Sequence, residues 1–194
     1  MDPLVNKRLK GLYNKSPPSA RYSQTWNPDT VLSYFDATAG AALSLLELYR
    51  KLVTLLALCT LLRTCELFSI SLESIVVSDS EMSFSLSKPR KAQHSGPLHR
   101  VSVAAWRLNV SICPVKCLET YLDRIAALRD ATNSAPLFLS SNKPHGPASV
   151  PTIGRWIKEQ LKIAGIDTSI FAAHSTRGAA ASKAVFFWCR FKLS

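Results

Sequence analysis

Two arginines far apart in the chain, one histidine and a cluster of loop lysines are the side chains best suited to chemistry here. Arg63 lies in Leu61-Leu62-Arg63-Thr64-Cys65-Glu66-Leu67, and His174-Ser175-Thr176-Arg177 stands more than a hundred residues later. An arginine fork donates two parallel hydrogen bonds and keeps its charge at any working pH, so a pair of them suits the non-bridging oxygens of a phosphodiester. Cleaving such a bond without a metal also needs a proton donor for the leaving oxygen and a nucleophile. His174 and Arg177 are three residues apart, which on a helix aims both at one point. Arg63 and Glu66 share that spacing, so Glu66 is expected to hold the guanidinium while leaving donors free. Taken singly, each motif also fits an ordinary helix-end arginine or a capped surface turn.

Charge points to the same class of partner. The 194 residues carry 24 Lys and Arg against 13 Asp and Glu, a formal charge of +11. Such a balance favours an acidic partner, nucleic acid or an anionic membrane. From Met82 through Cys117 there is no Asp or Glu, whereas Lys88, Arg90, Lys91, Arg100, Arg107 and Lys116 all fall there. A one-signed stretch of this kind binds phosphates through counterion release. The membrane alternative is weak, because the most apolar run, Leu52 to Leu62, is only 11 residues between Lys51 and Arg63, and a spanning helix needs roughly 20. It reads as a buried core helix. Met1 to Lys15 is polar and basic with no signal-like apolar run.

The elements that must position these groups can be placed from pattern. Residues 1–25 read as a basic linker around Ser16-Pro17-Pro18-Ser19. Asn27-Pro28 is an N-cap and first-turn proline opening a helix to about Ala37, ended at Ala39-Gly40. A long apolar helix spans about Leu43 to Leu62. The runs Ile75–Val77, Met82–Leu86 and Leu98–Val103 predict a small antiparallel sheet, with a turn at Asp79-Ser80 and a loop from Lys88 to Pro97. Pro114 opens a helix to about Leu128 with Tyr121 on its apolar stripe. Leu137-Phe138-Leu139 is a short buried piece, and Ser140 to Val150 is a loop containing His145. Thr152 to Ala164 is amphipathic and stops at Gly165. Its polar side presents Arg155, Lys158 and Lys162, either a track for a DNA backbone or a solvated face. Of the five cysteines, Cys113 and Cys117 form a lone pair without a second ligand pair, so they read as packing residues rather than a zinc site.

In this order the motifs resemble those of the tyrosine recombinase (phage integrase) family. There the first arginine follows an apolar helix and precedes x-x-Glu-Leu, a β-hairpin carries a lysine, as in Lys88-Pro89-Arg90-Lys91, and His-x-x-Arg follows a Gly-containing turn. The segments Arg21-Tyr22 to Trp26, Ile112 to Tyr121-Leu122 and Ala173 to Gly178 resemble integrase-like proteins of eukaryotic transposable elements. The resemblance implies a mainly helical α+β domain with a three-stranded antiparallel sheet over residues 26–184. It implies DNA cleavage and rejoining through a 3′-phosphotyrosine, with double-stranded DNA as partner and no metal or nucleotide cofactor. Arg63 and Arg177 would clamp the scissile phosphate, and His174 would bond a non-bridging oxygen or assist proton transfer. Lys91, five residues before Gly96, would be the leaving-group acid, with Lys88 as the runner-up and Arg90 as a further DNA contact.

The family's nucleophilic tyrosine lies downstream of the second arginine, yet no tyrosine follows Tyr121, and residues 185–194 do not continue the pattern. The expectation is a truncated domain that binds DNA without cleaving it unaided, either as a homo-oligomer or beside a full-length relative. The alternative is a non-catalytic DNA-binding or protein-interaction module derived from a mobile element. A nuclear location follows only from the DNA partner. A hydrolase using Ser175 and His174 is a poor reading, because adjacent helical side chains diverge and no Gly-x-Ser-x-Gly elbow occurs.

Overall fold

The computed structural model describes residues 24–40, 42–89, 96–130 and 135–191, with Leu4, Val5, Lys7, Arg8 and Gly11, and of 185–191 the backbone only. Helix α1, Pro28–Ala37, begins as its sequence dictates: the Asn27 side chain accepts from the Asp29 N–H at 3.0 Å, and Pro28 occupies the first turn. Gly40, at φ +90°, takes the left-handed conformation that turns the chain into the next helix.

Helix α2, Leu45–Thr60, starts two residues later than its apolar pattern suggests. Ser44 and Glu47 form a reciprocal capping box: the Ser44 hydroxyl accepts from the Glu47 N–H at 3.3 Å, and the Glu47 carboxylate accepts from the Ser44 N–H at 2.7 Å. That box outweighs the hydrophobicity of Leu43 in setting the start. Leu48, Tyr49, Leu52, Val53, Leu55, Leu56 and Ala57 are all buried, so α2 is the central rod. Among the described residues no helix is long and apolar enough to cross a membrane.

The sheet is a meander in the order β1-β2-β3, all antiparallel. Its strands are β1, Val76–Val77, β2, Glu81–Ser85, and β3, Arg100–Ala104. Met82 and Phe84 point into the core from β2, as a period of two requires. On its other face the Arg100 guanidinium donates to Ser83 Oγ at 2.7 Å.

Helix α4, Pro114–Ile125, carries its apolar stripe inward and relaxes into a 3₁₀ turn over Ala126–Leu128. Helix α5, Val150–Ile163, is capped by Ser149 and so starts before Thr152, with Pro151 accommodated in its first turn. Gly165, at φ +90°, follows its end. Tyr49 of α2, Tyr121 of α4, Trp156 of α5 and Phe138 stack at centroid separations of 5.1–6.5 Å, tying the three helices together. Burying each such ring contributes about 2–3 kcal/mol. Cys113 and Cys117 are core residues, and burial pushes the Cys117 thiol up to about 12. Among the described residues no cluster of His, Cys, Asp and Glu is placed to hold a metal ion.

Candidate phosphate-binding site

Arg63 is presented by a sharp corner. Leu61 ends α2 in the left-handed conformation, φ 56°, and Leu62 is buried, so the chain turns and starts a second short helix, α3, Thr64–Phe68, with Arg63 as its N-cap. Glu66 reaches back: its carboxylate accepts from the Arg63 backbone N–H at 2.8 Å and from Arg63 Nη1 at 3.4 Å. Glu66 is buried while the Arg63 side chain remains 42% exposed. The guanidinium is thereby anchored at one nitrogen with most of its donors turned to solvent.

The lysine loop is rooted at the far end of the same short helix. Ser87 N–H donates to Ser69 O at 2.6 Å, and Leu86 forms a bridge with Ile70. Lys88 leaves this root exposed. Because α3 has five residues, Arg63 and the loop root stand about 8 Å apart along its axis. Arg90 and Lys91 lie outside the described residues.

Helix α5 meets α3 at its first turns, where Gly154 lies beside the Thr64 methyl group. Arg155, Lys158 and Lys162 are exposed, as the amphipathic pattern predicts. Arg155 has a competitor for its charge in Glu159, 3.9 Å away, but that carboxylate is already engaged by Arg50 at 2.6 Å. The Arg50–Glu159 tie, which locks α2 to α5, has no signature in the sequence.

The second motif opens helix α6, Ser175–Phe191. His174 is exposed on the turn just before the helix rather than within it, and Arg177 is half-buried in the first turn. Ser175 and Thr176 are buried between them. The Ser175 hydroxyl accepts the indole N–H of Trp26 at 2.9 Å, and the Thr176 hydroxyl donates to Ala173 O at 2.8 Å. Among the described residues Arg177 has no carboxylate partner. A cation in the first turn opposes the helix dipole. Its charge adds to the positive end of a 17-residue helix, which suits an anion.

The arrangement places Arg63, Lys88 and the start of α5 around α3. It places His174 and Arg177 on a helix packed against α1 and α2. This backbone superposes on the XerH site-specific recombinase in its pre-cleavage complex with difH with a TM-score of 0.60. The identity is 12%, over 86% of this chain and 43% of XerH. On XerA recombinase the TM-score is 0.59 at 19% identity, over 94% of this chain and 60% of XerA. The chain has the tyrosine recombinase catalytic fold. It spans less than two thirds of either recombinase, and no family model and no curated protein matches the sequence itself.

Within that recombinase fold Tyr121 is excluded from surface chemistry. It is fully buried, its hydroxyl donates to Leu137 O at 2.9 Å, and burial raises its phenol far above the ordinary range. Helix α6 continues unbroken past residue 184 to Phe191. Sequence reasoning gave Trp26 no partner, since the acceptor is 149 residues away.

Proposed function

We propose that this chain is a recombinase-type DNA-binding domain that grips a backbone phosphate between Arg63 and Arg177, with His174 on a non-bridging oxygen. Lys91, or failing it Lys88, lies against the leaving oxygen, and Arg90, Arg155, Lys158 and Lys162 contact the flanking backbone. The observation that carries this reading is Arg177 itself. A half-buried guanidinium held at a helix N-terminus with no carboxylate partner among the described residues is electrostatically unfavourable until an anion arrives. The recombinase fold supports DNA as the source of that anion, since XerH is bound to its difH substrate in the matching structure. Integration or transposition of a mobile element in the nucleus is the setting we infer, on DNA beside further copies or a longer relative.

Tyr121 is locked in the core and no tyrosine follows it. These 194 residues supply no exposed tyrosine after Arg177, so by themselves they are expected to bind DNA without cutting it. Fluorescence anisotropy with a duplex, repeated across a salt series, tests the grip. Arg63→Gln with Arg177→Gln is expected to lower the slope of log K against log salt by about two units; an unchanged slope overturns the clamp. Nicked suicide duplexes are expected to give no covalent protein–DNA band, and such a band overturns the non-cleaving part.

A further inference from the structure

Trp26 lies just before α1, buried at 6% exposure, and its indole N–H reaches across the fold to Ser175, the first residue of α6. A second tie joins the same two helices, Lys183 of α6 pairing with Asp29 in the first turn of α1. Along α6, Ser175, Thr176 and Ala179 face the interior. At about 100° per residue, Arg177 lies about 200° around the helix from Ser175. Whatever fixes Ser175 therefore fixes the direction in which Arg177 points, and with it the exposed turn that carries His174. The Trp26 bond is well suited to this, because it is buried, directional and attached to the residue between the two functional side chains.

We propose that Trp26 is a positioning residue for the second cationic motif: its indole N–H, through Ser175, sets the rotational phase of the first turn of α6 and so aims Arg177 at the phosphate. This rests on the DNA-binding reading above. It makes Trp26, in the segment leading into α1, part of the site although its indole is buried.

Anisotropy titrations of a random-sequence duplex with four proteins test the proposal: Trp26→Phe, Arg177→Gln, the double variant and the parent. Trp26→Phe keeps the ring and deletes only the donor. It is expected to weaken binding by about 3–10-fold and to lower the salt slope by about one unit, because one phosphate contact is lost. In the Arg177→Gln background the same change is expected to alter binding by less than about twofold, since the contact it serves is already gone. An equal loss in both backgrounds, or no loss in the parent, overturns the positioning role. If Arg177→Gln itself leaves binding unchanged, the DNA-binding reading fails and this proposal with it. Should Trp26→Phe fold poorly by circular dichroism, Ser175→Ala removes the acceptor instead, and the same pair of comparisons decides.

Discussion

The two arginine-bearing corners solve the same electrostatic problem in opposite ways. Arg63 is held locally: Glu66, three residues on, caps the helix that Arg63 opens and takes one guanidinium nitrogen. Arg177 is held remotely. Its helix is positioned by Trp26 and Asp29 from the other end of the chain, and among the described residues no carboxylate neutralises it. The first corner is stable before any ligand arrives, whereas the second keeps an uncompensated charge against a helix dipole. Strength of anion binding should therefore reside more in the second corner and structural robustness more in the first.

The largest effect on folding should come from the carboxylate that makes the first corner self-sufficient. Glu66→Ala removes a charged acceptor buried beneath Arg63, and chemical denaturation should show a loss of about 2 kcal/mol, the range for a hydrogen bond to a charged group. A loss below about 0.5 kcal/mol would mean that Arg63 is held by something other than Glu66. Gly165→Ala probes the turn between the corners. The glycine has φ +90° and open space around the position of a Cβ, so the cost is purely conformational, about 1–2 kcal/mol. Tyr121→Phe should cost about 1 kcal/mol for the lost bond to Leu137 O and leave DNA affinity unchanged. An effect on affinity would contradict its place in the core. Smallest of all, Arg177→Gln should leave stability unchanged or raise it by up to about 0.5 kcal/mol, as expected for removing a cation from a helix N-terminus. A clear destabilisation would show that Arg177 supports the fold as Arg50 does.

Much of this contrast could be read in advance at the first corner and little at the second. Arg63 and Glu66 announce themselves by spacing, as do Asn27-Pro28, the Asp79-Ser80 turn and Gly165, because each is an interaction within one or two turns of chain. The starts of α2 and α5 shifted by two residues for the same kind of reason, since the Ser44–Glu47 box and the Ser149 cap are local signals stronger than the apolar period. Nothing near Ser175 reveals that its hydroxyl is an acceptor for an indole 149 residues away.

Short-range hydrogen bonding and the 3.6- and 2-residue periodicities are encoded in neighbouring residues, so most of the helices and the small meander were legible from composition and order. Packing is not encoded that way. Which helix Glu159 grips, how α3 roots the lysine loop through Ser69, and which way α6 is turned by Trp26 depend on side chains meeting across the core, and those meetings exist only after collapse has brought distant segments into contact.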